Sequence, residues 1–214
     1  MKSASKAWEN DETNFINDLL LTAKHVPKIE NYLLEEVNYF KNNIVNGSSV
    51  IDFGCGNGRH LNILKNQISK GLGIDMNRSY LKEASCLCDS NKIRFELGDI
   101  ENYYGTEKFD IAIAMYNTFG NIENQQGMVD SMMRSVKRGG KIIISVFSAE
   151  SVPFRLEMYK KQNFKNLEVE EYRIITEEGF LSECFTESRI KEFMPEVRIE
   201  KCTDIGWIVV WESN

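Results

Sequence analysis

The stretch VIDFGCGNGRH, Val50 to His60, decides the fold of this chain. A β-branched run that leads straight into Gly54, Gly56 and Gly58 is typical of a buried strand followed by a tight loop. Because glycine has no Cβ, such a loop allows the backbone to lie close to a nucleotide. The stretch therefore predicts a nucleotide-type ligand beside the first strand, and it leaves the identity of that ligand open.

From about Ser48 onward, short β-branched runs alternate with longer amphipathic runs. The predicted strands are SSVIDFG, GLGID, IRFELGD, FDIAIAMYN and GKIIISVF, and the helices between them cover about 59–67, 78–87 and 124–136. Strands that alternate with helices indicate a parallel, doubly wound sheet. We therefore expect an α/β, Rossmann-like fold with a mostly parallel sheet of seven strands, two of them from the C-terminal hairpin described next.

After the fifth strand the pattern predicts a helix near 153–161, then two strands joined at Glu178-Gly179 as a small antiparallel insertion. Thr186 is expected to cap a short helix, and a hairpin that turns near Asp204 to Gly206 supplies an antiparallel C-terminal strand.

Residues 8–44 predict two helices that are broken near Pro27 and form an N-terminal helical cap. Apolar residues at helical spacing are Phe15, Ile16, Leu19, Leu20, Ile29, Leu33, Leu34, Val37 and Phe40. We expect one domain over 1–214, with a cap at 1–46, a cofactor-binding core at 47–148 and a substrate-side insertion with closing strands at 149–214.

Composition excludes several classes of protein. No apolar run approaches the roughly 18 residues needed to cross a bilayer, and no secretory signal is evident, so a cytoplasmic protein without membrane association is expected. The five cysteines form neither paired CxxC ligands nor a disulfide framework, so no metal is predicted. A net charge of −6 argues against a surface that binds nucleic acid through phosphates. The run VKRGGK is interpreted as a helix end rather than a basic patch.

The glycine spacing distinguishes between ligands. A dinucleotide fingerprint, G-x-G-x-x-G, would need a third glycine at the position of Arg59, whereas this chain has G-x-G-x-G. Asp52 stands two residues before the first glycine, where a carboxylate suits a cation better than a pyrophosphate. The motif therefore favours a sulfonium and an α-amino group.

The ends of the next strands carry further candidate residues. Asp75 lies about 20 residues beyond the glycines, where an acidic side chain accepts hydrogen bonds from both hydroxyls of a ribose, in NAD as well as in adenosyl ligands. Asp99 and Ile100 offer a polar acceptor and an apolar wall to an adenine ring. Met115 and Tyr116, with Asn117 next to them, reach the same rim from the fourth strand.

With these motifs in order over about residues 48–148, the sequence resembles the class I S-adenosylmethionine-dependent methyltransferases. VIDFGCGNGRH is similar to their glycine motif, GLGID to the acidic ribose motif, GDI to the adenine motif and FDIAIAMYN to the fourth-strand motif. The resemblance implies S-adenosylmethionine as cofactor and S-adenosylhomocysteine as product. It implies cofactor binding by Asp52, Gly54, Cys55, Gly56, Asp75, Met76, Asp99, Ile100 and Met115, and substrate binding by Tyr116 and Asn117.

Methyl transfer is an in-line displacement, so a base is needed only when the acceptor arrives protonated. No pair of side chains can be assigned to that role, and His60 is interpreted as a positioned helix residue near the cofactor carboxylate. YNTFG replaces the NPPY-like element that grips an adenine or amide nitrogen, which favours a small-molecule N- or O-methyltransferase. The alternatives are an RNA-modifying methyltransferase, which a basic surface at Lys137 to Lys141 would support, and a non-catalytic protein that binds an adenosyl ligand.

Overall fold

The five alternating strands predicted from the sequence lie parallel in one sheet in the computed structural model, which describes residue 20 and residues 22–213. Two C-terminal strands complete a sheet of seven strands, which are β1 Ser49–Phe53, β2 Lys70–Asp75, β3 Ile93–Leu97, β4 Phe109–Ala114, β5 Val136–Phe147, β9 Arg198–Thr203 and β10 Gly206–Glu212. Their order in the sheet is β3-β2-β1-β4-β5-β10-β9, and β10 is antiparallel to both of its neighbours. The predicted fold class is confirmed.

Six helices accompany the sheet in the described part of the chain. They are α1 Pro27–Asn43, α2 Arg59–Leu64, α3 Arg78–Leu87, α4 Gln125–Ser135, α5 Val152–Lys161 and α6 Glu187–Phe193. Thr186 caps α6 as predicted, because its side chain accepts a hydrogen bond from the Arg189 amide. Helix α2 ends at Leu64, earlier than predicted, because the Lys65 amide donates at 3.4 Å to the carbonyl of Asn62, three residues back, and so breaks the α-helical pattern. Across residues 22–213, no helix has the length and apolarity to span a membrane.

The insertion after α5 has three strands rather than the predicted two. They are β6 Glu168–Glu170, β7 Arg173–Ile175 and β8 Leu181–Glu183, paired antiparallel in that order. The turn at Gly179 forms as expected, with a φ of 98°. The extra turn comes from Glu171, whose φ of 52° reverses the chain inside what the sequence pattern presents as one strand.

The N-terminal cap is described from its second helix onward, and most of the first predicted helix lies outside the described residues. The break near Pro27 is present, because α1 begins at that residue. Helix α1 buries Ile29, Tyr32, Leu33, Glu36 and Phe40. Leu34 was expected on this apolar face, but it is 59% exposed.

Tyr32 fixes α1 against the C-terminal half of the sheet. Its ring lies 4.4 Å from that of Phe147 and also contacts Gly206, which pairs with Phe147 at the start of β10. A Cβ at position 206 would lie 2.1 Å from Tyr32 Cε2, which is closer than packed atoms approach. The helix can therefore reach the sheet at this point only because residue 206 is glycine.

Gly206→Ala should destabilise the protein by about 1–3 kcal/mol, because the added methyl group overpacks the contact with Tyr32. Tyr32→Leu removes the ring edge, so the double variant should lose less stability than the sum of the two single losses. Urea denaturation of the four proteins measures this coupling. If the stability losses of the two single variants simply add up in the double variant, the glycine is not required for the contact with Tyr32.

Candidate active site

The glycine loop between β1 and α2 is held against the end of β2. Gly54 and Gly56 have φ values of 73° and 52°, which favour glycine. The amides of Gly54 and Cys55 donate to the Ile74 carbonyl at 2.8 and 3.0 Å, and the Gly56 amide donates to Asp75 Oδ2 at 2.8 Å. The loop and the second strand end therefore form one rigid rim.

Gly58 has a different role from the other two glycines. The sequence left open whether it contacts a ligand or only opens the helix. In the structure it precedes α2 in a left-handed conformation, and a Cβ there would lie 2.7 Å from the Phe95 ring. Gly54 and Gly56 line the pocket and Gly58 does not, so Gly58 allows helix and sheet to pack closely.

A pocket opens at the carboxyl ends of β1 to β4, where a doubly wound sheet places its ligand. The structure brings most of the sequence-predicted residues to its wall: Gly54, Cys55, Gly56, Asp75, Met76, Asp99, Ile100, Met115 and Tyr116. It does not bring Asp52 or Asn117 to the wall. The binding role of each residue stays a prediction.

Asp75 keeps hydrogen-bonding capacity towards the pocket. Its Oδ1 accepts from the Asn77 amide at 2.9 Å and its Oδ2 accepts from Gly56. Burial raises the pKa of this carboxyl, and the backbone amides of Asn77, Gly56 and Met76 oppose that rise only in part. A carboxylate has about four lone-pair sites and these three amides occupy three of them, so one site is left to accept a hydrogen bond from a ribose hydroxyl.

Asp99 and Ile100 lie at the end of β3 as predicted. Asp99 also caps the following turn, because its Oδ1 accepts from the Glu101 amide at 2.9 Å and its Oδ2 accepts from the Asn102 side chain at 2.9 Å. Ile100 is buried and presents an apolar surface to the pocket. The capping role and the pocket position therefore coexist at this strand end.

Asp52 lies behind the glycine loop and is 1% exposed. Neither carboxylate oxygen has a hydrogen-bond partner in the described part of the chain, and His60 Nδ1 lies 4.0 Å from Asp52 Oδ2. Burial raises the pKa of Asp52 to about 7, with His60 lowering it and Asp75 and Glu36 raising it. A desolvated carboxyl of this kind disfavours an anion beside it and favours a cation.

Glu36 is a central residue that the sequence reasoning missed. It extends from α1 and is fully buried, with Oε1 accepting from the Tyr116 amide at 2.7 Å and from the Ser145 hydroxyl. Its Oε2 lies 3.4 Å from His60 Nε2 and 3.9 Å from Arg59 Nη1. Burial raises the pKa of Glu36, but the hydrogen bonds from His60 and Ser145 and the charges of His60 and Arg59 lower it below its ordinary value.

A signal for Glu36 was present in the sequence. It follows Ile29 by seven residues and precedes Phe40 by four, so it occupies the apolar face of α1. A carboxylate on a buried face requires buried donors, and these come from β4, β5 and α2. His60, which was interpreted as a positioned residue, lies between Glu36 and Asp52.

Tyr116 and Asn117 follow β4 in the left-handed conformation, with φ values of 53° and 61°. The Tyr116 hydroxyl is buried and has no partner among the described residues. The side chain of Asn117 points away from the pocket, since Nδ2 donates to the Glu183 carbonyl at 3.1 Å and Oδ1 accepts from the Phe147 amide at 3.0 Å. The Asn117 amide thus links three segments of the chain, and its predicted contact with substrate stays a prediction.

Arg155 and Tyr159 line the pocket from α5, and the sequence reasoning did not find them. Arg155 is 2% exposed, its guanidinium lies 4.2 Å from the centre of the Phe147 ring, and its Nη2 donates to Ser182 Oγ at 2.6 Å and to the Tyr159 hydroxyl. These partners lie in separate segments, so no local pattern marks the site. Within residues 22–213, no group of three or more His, Cys, Asp or Glu side chains could hold a metal ion.

Comparison with known proteins identifies the family of the chain. A family model described as a methyltransferase domain matches residues 44–198. A solved S-adenosylmethionine-dependent methyltransferase from Clostridium acetobutylicum has the same fold, with a TM-score of 0.64 at 15% identity over 86% of this chain and 89% of that one.

Two curated relatives are similar in sequence over part of the chain. The tRNA (carboxymethyluridine(34)-5-O)-methyltransferase alkbh8 of Xenopus tropicalis is 29% identical over 62% of this chain, and malonyl-[acyl-carrier protein] O-methyltransferase 2 of Ilyobacter polytropus is 24% identical over 77%. The chain spans 20% of the first relative and 66% of the second.

The unfolding free energy should report the unusual pKa of Asp52. Its folded-state pKa of about 7 lies above the ordinary 3.8, so its contribution to stability is lost as pH rises between these two values. The side chain of the Asp52→Asn variant does not titrate. The unfolding free energy of the variant minus that of the wild type should therefore increase by on the order of 1–3 kcal/mol between pH 5 and pH 8. Urea denaturation at both pH values measures the gap, and a gap that stays constant would mean that Asp52 is ionised throughout.

Proposed function

We propose that this chain, which belongs to the methyltransferase domain family and has the fold of S-adenosylmethionine-dependent methyltransferases, transfers a methyl group from S-adenosylmethionine to a nitrogen or oxygen of a small molecule. The observation that carries the proposal is the buried Asp52 carboxyl behind the G-x-G-x-G loop, with both oxygens unpartnered in the described chain. Such a group accommodates a cationic ligand and opposes a pyrophosphate.

The residues present fit this donor. Asp75 lines the glycine-loop end of the pocket and Asp52 is buried behind that loop, and carboxyl groups at this end suit the sulfonium and α-ammonium charges of S-adenosylmethionine. The acceptor site that Asp75 retains suits a hydroxyl of a ribose. Asp99 and Ile100 would then contact the adenine, and Cys55 and Met115 would close the remaining sides.

The chain contributes mainly by orientation. When bound, S-adenosylmethionine supplies a methyl group on a positively charged sulfur. A nucleophile in line with the carbon–sulfur bond can attack the methyl carbon, and the sulfur is then the leaving group. The rigid glycine loop and the Tyr116 backbone, which Glu36 and Ser145 hold at 2.7 and 2.8 Å, would fix donor and acceptor relative to each other. Alignment of this kind can lower the activation free energy by up to about 7–11 kcal/mol.

An acceptor of modest size fits the other end of the pocket. Leu20, Tyr116, Arg155 and Tyr159 line that end, and they come from the cap, the end of β4 and α5. Side chains from three segments around one space favour a small molecule that is largely enclosed, and enclosure excludes water from the reaction.

An RNA acceptor is the second candidate, since one relative is named as a tRNA methyltransferase. The basic run from Lys137 to Lys141 gives it little support, because it lies at the start of β5 and the pocket lies beyond the ends of the parallel strands. Lys141 is six residues, or about 20 Å along the strand, from Phe147. Lys137 and Lys141 are also paired with Asp110 and Glu212 at 2.8 and 2.9 Å.

Asp75→Ala should weaken binding of S-adenosylhomocysteine by about 1.5–3 kcal/mol, the range for hydrogen bonds to a charged acceptor. Isothermal titration calorimetry measures the loss, and Asp89→Ala, which removes an exposed and ion-paired carboxylate, is the matched control.

In the wild type, NAD should not raise the melting temperature whereas S-adenosylhomocysteine should. Equal stabilisation by NAD would contradict the assignment of the donor.

The size of the acceptor can be tested with radiolabelled donor. Methyl transfer should occur to a fraction of small molecules extracted from cells, and it should change little in the double variant Lys137→Gln/Lys141→Gln. Transfer to bulk RNA that falls steeply with salt, as phosphate contacts require, would favour the RNA candidate instead.

A further inference from the structure

We infer that the acceptor is an organic acid whose carboxylate binds to Arg155, an inference that rests on the proposed function. It concerns the end of the pocket away from the glycine loop, where α5 and the insertion meet. The observation behind it is a buried guanidinium that has no counter-ion and faces the pocket.

Arg155 differs from the arginines around it. Arg173 and Arg189 are both more exposed, and both pair with Glu183, at 3.0 and 2.8 Å. Arg155 is 2% exposed, yet within residues 22–213 no carboxylate lies within 4.0 Å of it. Burying a cation without an anion costs several kcal/mol, so buried arginines are normally paired.

The guanidinium also retains donors. An arginine has five N–H groups, and Nη2 uses two of them on Ser182 and Tyr159. The buried Nε has no partner, and Nη1 has no hydrogen bond to any described residue. An anion in the pocket would therefore meet a positive charge that still has hydrogens to donate.

The surroundings hold Arg155 in position without neutralising it. The Phe147 ring lies 4.2 Å from the guanidinium carbon and the Tyr159 ring 5.0 Å, so the charge lies against aromatic surfaces. The nearby Tyr116 hydroxyl is a second donor without a partner. Burial raises the pKa of Tyr116 well above its ordinary value, against a smaller lowering by the charge of Arg155, so this phenol stays protonated and can donate to an anion.

Arg155 and the carboxylate of Asp75 lie on different parts of the pocket wall. Asp75 lines the glycine-loop end, with the buried Asp52 behind that loop, and Arg155 lines the end formed by α5. A small acid would be attracted to the end where an acceptor is needed and repelled from the end where the donor binds. Carboxylate is the anion to which we commit.

The test uses the full chain saturated with S-adenosylhomocysteine and three acids as probes: benzoate, phenylacetate and 3-phenylpropionate, each compared with its uncharged amide. Calorimetric titration should show that at least one acid binds and that its amide binds about 10–100-fold more weakly, as the loss of charge-assisted hydrogen bonds requires. Arg155→Met should abolish the preference for the acid while S-adenosylhomocysteine affinity changes less than about twofold. Lys160→Met removes an exposed positive charge from the same helix and should leave acid binding unchanged.

Stability gives a second readout. If Arg155 only supported the fold, Arg155→Met would lower the melting temperature. If Arg155 is buried in order to bind a ligand, we expect an equal or higher melting temperature, because the substitution removes an unpaired buried charge. If the Met variant fails to fold, Arg155→Lys can replace it, since lysine keeps the charge but lacks the planar group. This variant should bind the acid more weakly, and the ratio of its affinity for the acid to its affinity for the amide should be lower.

The outcomes separate this inference from the proposed function. Failure of the wild type to bind S-adenosylhomocysteine overturns the proposed function. Normal binding of that ligand with no acid bound, with acids and amides bound equally, or with acid binding unchanged in Arg155→Met overturns the role of Arg155 alone.

Discussion

The arrangement of this site depends on one buried carboxylate, that of Glu36. It accepts hydrogen bonds from the end of β4 and from a β5 side chain, and it faces His60 and Arg59 of α2. A carboxylate removed from water is tolerated only when donors surround it, and removal of one partner from such a network costs about 3–5 kcal/mol. Helix α1 is therefore bound to the catalytic edge of the sheet by a specific polar contact as well as by apolar packing.

The same contact supports the strained end of β4. Tyr116 and Asn117 are consecutive residues in a left-handed conformation, which costs about 1–3 kcal/mol for each non-glycine residue. Glu36 and Ser145 hold the Tyr116 amide, and the Asn117 side chain holds the Phe147 amide and the Glu183 carbonyl. The Tyr116 side chain lines the pocket, whereas the Asn117 side chain bonds to β8 and β5, so these two neighbouring candidates have different surroundings.

Local patterns in the sequence were enough to predict the sheet, the glycine loop, the cap at Thr186 and the C-terminal hairpin, because each depends on residues close together in the chain. Glu171 was not foreseen as a turn, since glutamate seldom adopts a positive φ. Arg155 was missed because Ser182 and Phe147, which hold it, lie in other segments. The sequence could thus place the donor end of the pocket from its motifs, whereas the acceptor end depends on contacts between distant segments.

The long reach of α1 has a consequence for the order of folding. Glu36 meets Tyr116 and Ser145 across 80 and 109 residues of chain, and Lys28 meets Asp204 across 176. During synthesis from the N-terminus, α1 emerges long before these partners exist, so its buried carboxylate must stay hydrated until β4 and β5 have formed. Contacts of such high sequence separation form late and slow the search for the native state. The nascent chain therefore carries α1 without the hydrogen-bond donors of Glu36 until Tyr116 and Ser145 have emerged from the ribosome.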